Sequence, residues 1–278
     1  MKVNFHSYTP QIHRARPQAQ KPAVSFGTNF REYECNGKTF RNTTRLFKEG
    51  INWDKFPLQL EDRFKGKERV YIISHACSDG SEAYTIAMML LEKLGPERAK
   101  KFLPVIARDI NGYIIERADS GYIRLDDNDV KELQRRDIYE KYFSKTDFDL
   151  EIDDDDTMRE TTTHKVNDEL VKLVDFDTGD AFSDLDKLDN PSRTVFLFRN
   201  ALYLLDKSQQ RAFLNKASRR LNGDSLLVVG AFDGASRDAI GVHTYLSTAT
   251  RLVPVGPGGF TNMYCKDYSA YRLPELPQ

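Results

Sequence analysis

Long apolar runs are missing from this 278-residue chain. No stretch reaches the roughly 20 residues that a bilayer span requires. No apolar segment of the kind that exports a protein stands near the N-terminus, so the expectation is neither membrane insertion nor secretion. Cysteine is scarce as well. Cys35, Cys77 and Cys265 are odd in number and far apart, which argues against a disulfide framework and suits a reducing, cytoplasmic setting. Neither sign of charge is in excess: 41 Lys and Arg face 42 Asp and Glu. A net charge of −1 sets up no field that would recruit nucleic acid or a membrane surface. The five histidines show no metal-ligand spacing, and no internal repeat is visible. Residues 1–27 contain no acid at all, only four basic residues, three prolines and several glutamines. That stretch reads as a disordered basic tail, with an ordered domain over 28–278.

What is present supports a sizeable core, since 40% of the residues are hydrophobic and 11% aromatic. Organisation centres on residues 70–92. A β-branched and aromatic run at 70–73 reads as a buried strand, 74–81 as a small-residue turn, and the Ala-, Met- and Leu-rich segment from Glu82 as a helix ending at Gly95-Pro96. Such a strand–turn–helix aims backbone N–H groups and a helix dipole at one spot, where nucleotide-like ligands sit in open α/β sheets. A second strand is expected at 102–107 and a helix at 111–119, completing one βαβ unit. Before these, 40–49 is expected to begin a helix capped by Asn42 or Thr43. Residues 125–156 carry thirteen acids against five bases and read as an exposed acidic loop or hairpin, without the glycine and glutamate of a calcium loop. Strands are expected at 148–152, 173–176, 194–198, 225–230 and 260–265, and a helix at 208–221. Three acids then fall at strand ends: Glu82, Asp109 and Asp180. Asp109 is placed either to accept the paired hydroxyls of a ribose or to cap the next helix.

At this point the motifs resemble a known family. Asn42-Thr-Thr-Arg-Leu-Phe-Lys48 resembles the Asn-x-Thr-x-x-x-Arg segment of the chemotaxis receptor methyltransferases (CheR type), and Ser74-His-Ala-Cys-Ser-Asp-Gly-Ser-Glu-Ala-Tyr-Thr-Ile-Ala87 resembles their cofactor loop. Ala107-Arg-Asp-Ile110, the Ala118 to Ile123 segment, Tyr142-Phe143 and Arg199-Asn200 follow in the family's order, so the resemblance runs from about 38 to 268. It implies a Rossmann-like α/β fold with a small inserted β-subdomain at 124–172, and it implies a methyl group passed from S-adenosylmethionine (SAM) to a protein glutamate. Only about 40 residues precede the first motif, so the expectation is that the family's helical N-terminal domain is absent. By resemblance the cofactor residues are Asn42, Thr44, Lys48, Ala76, Glu82, Asp109, Asp180, Ala181, Arg199 and Asn200, and the catalytic ones Lys48, Arg199 and Tyr203. The sequence departs from the family at Lys48 (arginine), Ala76 (glycine), Ser81 (glutamate), Ala83 (proline), Asp180 (asparagine) and Leu204 (tyrosine). Two other readings are a module that binds SAM or a peptide without transfer, and a serine hydrolase. The hydrolase would use Ser78 as nucleophile in an approximate Gly-x-Ser-x-Gly elbow, with His243 and Asp233 or Asp238 downstream.

Overall fold

A computed structural model describes residues 32–35, 38–41, 44–148, 161–230, 233, 240, 242–250, 252–254 and 269–272. Asn42, the strand expectation at 260–265, and most of that at 148–152 lie outside the described residues. A two-stranded hairpin comes first, β1 (Glu32–Cys35) against β2 (Lys38–Arg41). A short helix follows, α1 (Phe56–Arg63), with Pro57 in its first turn, where the missing N–H costs nothing. The helix expected near Leu46 is absent, and 44–50 is a series of turns. Phe47 and Gly50 there take positive φ, of 48° and 90°, which a helix cannot accommodate.

Among the described residues the main sheet has seven strands. Its parallel part runs β10 (Leu226–Val229), β9 (Thr194–Phe198), β3 (Tyr71–His75), β4 (Val105–Asp109) and β8 (Val174–Thr178). Beyond β10 lie two antiparallel strands, β12 (Ser269–Arg272) and then β11 (Val253–Pro254). β10 and most of β9 are unbroken hydrophobic runs because helices cover both faces of the sheet. Side chains alternate between those faces: Ile72, Val195, Leu197, Leu226 and Val228 join one core, while Ile73, Phe196, Phe198, Leu227 and Val229 join the other. The first core is closed by α1, α2 (Ser81–Ala99) and α3 (Gly112–Asp119). The second is closed by α7 (Ala181–Asp186), α8 (Lys207–Arg220) and a last helix, Val242–Ala249. This is a Rossmann-like α/β architecture.

Between β4 and β8 the chain builds a separate three-stranded antiparallel sheet. Its order is β5 (Tyr122–Asp126), β7 (Thr161–Val166), β6 (Phe143–Lys145). Much of the acidic stretch is therefore not loop. Asp127–Arg135 forms α4, started by a capping box in which Asp126 accepts the Asn128 and Asp129 amides. The acids crowd that helix's first turn because its dipole favours negative charge there. Two four-residue helices, α5 (Tyr139–Tyr142) and α6 (Asp168–Val171), complete this part of the chain. The central helix also runs past Gly95: that residue is non-helical at φ 73°, and the chain resumes through Pro96 to Ala99.

Candidate functional site

Strand order places the site. From β3 the chain moves outward through β4 and β8, then returns to β9 and β10 on the other side of β3. The order reverses between β3 and β9, and crevices at such points lie beyond the C-terminal strand ends. A cleft opens there, lined from β3 by His75 and Ala76, from β4 by Asp109 and Ile110, and from β8 by Asp180, Ala181 and Phe182. Its β9 side is formed by Phe198, Ala201, Leu204 and Leu205.

The turn after β3 is tightly wound. Ala76 and Ser78 both take left-handed φ, of 54° and 53°, and Gly80 caps α2 at φ 84°. A Cβ on Gly80 would lie 2.6 Å from the Phe176 ring, so only glycine fits. Asp109 holds this turn: Oδ2 accepts the Ser78 amide at 2.9 Å and Oδ1 the Asn111 amide at 3.0 Å. Burial pushes the Asp109 pKa up, and the backbone donors only partly offset it. The cap of α3 is Asn111, whose side chain accepts the Tyr113 and Ile114 amides, so Asp109 is released from that task. Cys77, in the same turn, is buried with its thiol pKa pushed well up by burial, which makes it inert rather than nucleophilic.

Glu82 and Arg199 form the charged side of the site. Glu82 Oε1 accepts from Ser74 Oγ at 3.1 Å, and Oε2 from Arg199 Nη1. Arg199 Nη2 also donates to the Glu49 carbonyl, and its guanidinium stands 6.0 Å from the Trp53 ring. Trp53 Nε1 in turn donates to the Lys48 carbonyl at 3.1 Å, which ties the 44–50 turns to the site. Burial pushes the Lys48 pKa down, the Arg199 charge adds to this, and Glu82, Asp233 and Asp79 oppose it. Thr44 is half-buried at the start of those turns. Asp180 caps α7 by accepting the Ser183 amide at 2.9 Å, which leaves its second oxygen free of that task.

After β9, Asn200 takes a left-handed φ of 53°. Its amide donates to Asp233 Oδ2 at 2.7 Å, as does the Gly230 amide at 2.8 Å, and the Tyr203 amide reaches Oδ1 at 3.3 Å. Tyr203 is half-buried in a 3-10 turn, Leu202–Leu204, and is not among the lining residues of the cleft, whose wall Leu204 forms. Three residues at the site, His75, Asp184 and Asp233, were given no place in it by the sequence. His75 stacks on Phe196 at 5.0 Å and lies 3.2 Å from Asp184 Oδ2, and the only signal was its place in the loop motif. The third, Asp233, entered only as a hydrolase partner. Its carboxylate accepts backbone amides, while Asp238 and the side chain of His243, the other partners of that reading, lie outside the described residues.

The residues present fit an adenosyl sulfonium. Two buried polar atoms beside the turn, Ser78 Oγ and Arg199 Nε, have no hydrogen-bond partner among the described residues, as a site awaiting a polar ligand would leave them. Apolar walls at Ile110, Phe182, Phe198 and Leu205 suit a flat heterocycle, and Asp109 and Asp180 suit hydroxyl and amino donors. Among the described residues no cluster of His, Cys, Asp or Glu has metal-binding geometry, and no helix is long and apolar enough to cross a membrane.

A family model described as CheR methyltransferase, SAM binding domain, matches residues 42–240. Among curated proteins the chain is similar to the chemotaxis protein methyltransferases of Salmonella typhimurium and Escherichia coli, each 31% identical over 197 residues. Those alignments cover 68% of this chain and 59% of each relative, so the chain spans about three fifths of their length. Among solved structures it is similar to a TehB-like SAM-dependent methyltransferase from Corynebacterium glutamicum. That likeness has 12% identity and a TM-score of 0.41, covering 78% of this chain and 87% of that one.

Proposed function

The chain belongs to the CheR methyltransferase family, and on that premise we propose that it is a cytoplasmic SAM-dependent methyltransferase whose acceptor is a carboxylate on a protein, a glutamate of a receptor-like partner. The observation that carries the reading is the cleft at the β3–β9 reversal, with Asp109 and Asp180 on its wall and the Glu82–Arg199 pair beside the turn. SAM, when bound, supplies a methyl group on a positively charged sulfur, primed for in-line displacement. The chain's own part is alignment and exclusion of water.

Asp109 and Asp180 would accept hydrogen bonds from the ribose and the adenine, with Ile110 and Ala181 against the ring face. Asn42, Thr44, Ala76 and Asn200 belong to the same cofactor set by the family pattern. Glu82 and Arg199 present a paired acid and base beside the turn, suited to the two charges of an amino-acid end. Lys48 stands in the electrostatic reach of Glu82, Arg199, Asp233 and Asp79 and would orient an incoming carboxylate. An ammonium does so as a point charge, without the two-pronged grip of arginine. Leu204 on the cleft wall makes the acceptor side apolar where the family has a tyrosine hydroxyl, while Tyr203 stays off that wall.

Titration calorimetry with SAM and S-adenosylhomocysteine tests the cofactor half of this reading. Micromolar binding of both is expected, and no binding of either would overturn it. The acceptor half is tested by incubating labelled SAM with receptor fragments and collecting base-released methanol, the mark of a carboxyl methyl ester. Label that stays on the protein through base treatment would rule the carboxylate out.

A further inference from the structure

Asp233 is wholly buried, yet its carboxylate binds no side chain among the described residues. Instead it gathers backbone N–H groups from two places: Gly230 at the end of β10, and Asn200, Leu202 and Tyr203 in the segment after β9. That second segment, 199–205, supplies Arg199 to the charged pair and Ala201, Leu204 and Leu205 to the cleft. It does not hold its own shape for free. Asn200 is left-handed, and it donates its amide to the carboxylate from that strained backbone. Gly230 is shaped to the same contact: a Cβ there would collide with the Asn200 side chain and lie 2.6 Å from the Asn200 amide nitrogen.

We propose that Asp233 is a positioning residue for the cofactor cleft, its carboxylate clamping 199–205 to the end of β10 so that Arg199, Ala201, Leu204 and Leu205 face the ligand. This rests on the reading that the cleft takes SAM. The clamp needs acceptors, and a protonated carboxyl turns one of its oxygens into a donor. Burial raises the Asp233 pKa to about 6, with the four amides pulling the other way. The charged and titratable groups facing it among the described residues are the Lys48 ammonium and the Tyr203 phenol. The clamp therefore has both acceptor oxygens at pH 8 and loses one of them as pH falls through about 6.

The test pairs ligand affinity with hydrogen exchange. If only the ionised form binds, the Kd of the intact chain for S-adenosylhomocysteine rises about tenfold between pH 8 and pH 5. Asp233→Asn should bind about tenfold more weakly at pH 8 and lose most of that pH dependence. Asp109 also has a raised pKa, and the difference between the two proteins removes its contribution. Exchange among the Asn200, Gly230 and Tyr203 amides in the unaltered chain, corrected for intrinsic pH effects, should speed up between pH 7.5 and pH 5 on whichever oxygen takes the proton. Parallel pH curves for the two proteins, or unchanged protection of those amides, would overturn the proposal. Exchange needs neither a folded variant nor a ligand, so it decides the role of Asp233 even if Asp233→Asn fails to fold. A chain that binds neither SAM nor S-adenosylhomocysteine would sink the methyltransferase reading, while the exchange rates would still show whether Asp233 clamps the segment.

Discussion

Replacing Glu82 by glutamine strips one charge from a buried pair. The Glu82 side chain is 7% exposed and that of Arg199 is 0% exposed, so water cannot take over the lost partner. Breaking such a pair from one side costs about 3–5 kcal/mol, because the remaining charge stays buried. Glutamine keeps an oxygen that can accept from Ser74 Oγ and is nearly isosteric, which places the cost near the lower end, about 3 kcal/mol. For a chain of this size that is a fall in Tm of about 6–12 °C. Urea unfolding of five proteins closes the cycle: the starting chain, Glu82→Gln, Glu82→Met, Arg199→Met, and the double variant Glu82→Met/Arg199→Met. The double variant should recover most of the loss, since two apolar side chains leave no orphaned charge. A loss under about 1 kcal/mol for Glu82→Gln would mean that water reaches Arg199 and that the pair behaves as a surface salt bridge.

Other consequences are as open to measurement. The pKa of Asp129 is raised to about 7, by burial first and the Asp126 charge second, so its ionisation opposes folding as pH climbs from about 4 to 7. Asp129→Asn should therefore flatten stability across that window and add about 1–3 kcal/mol at pH 8 by urea unfolding; a variant that tracks the original curve would contradict this. Ala76→Gly removes a left-handed side chain, and after the entropy of a new glycine it should gain about 0.5–1 kcal/mol; a lower melting temperature would show that the Cβ is packed usefully. Lys48→Met should cut methyl transfer about 100-fold while the Kd for S-adenosylhomocysteine moves little. Equal losses in both would move Lys48 from the acceptor to the cofactor.

The strand β9 was legible because burial on both faces leaves it almost wholly apolar. Thr194–Phe198 appears in the structure with the bounds read from the sequence. Asp127–Arg135 was illegible for the opposite reason: only Val130 and Leu133 are apolar in it, and its acids, which serve the cap, resemble a solvated loop. Gly95-Pro96 carries the signature of a helix end, yet proline sits comfortably in the first turn of a new helix, and the chain continues through a kink. Asp109 left two readings open in one dimension. The choice was made by Asn111, two residues on, which is the better cap and frees the acid for the turn opposite. Contacts that span 30 residues or more, such as those of Asp233 with Asn200 and Tyr203, leave no periodic trace, and only the fold reveals them.

The helix α2 is buried without interruption from Ser81 to Leu90. Glu82 near its start belongs to the charged pair, while Glu92 accepts from the Tyr142 hydroxyl at 2.7 Å and is paired with Lys141, beside the three-stranded sheet. Ten residues at 1.5 Å each put these two ends about 15 Å apart on one rod. From Ser81 to Leu90 that rod is packed on every side, and its one break, at Gly95, lies beyond Glu92. The contact with Tyr142 and the carboxylate that faces Arg199 therefore sit on the same unbroken segment of helix.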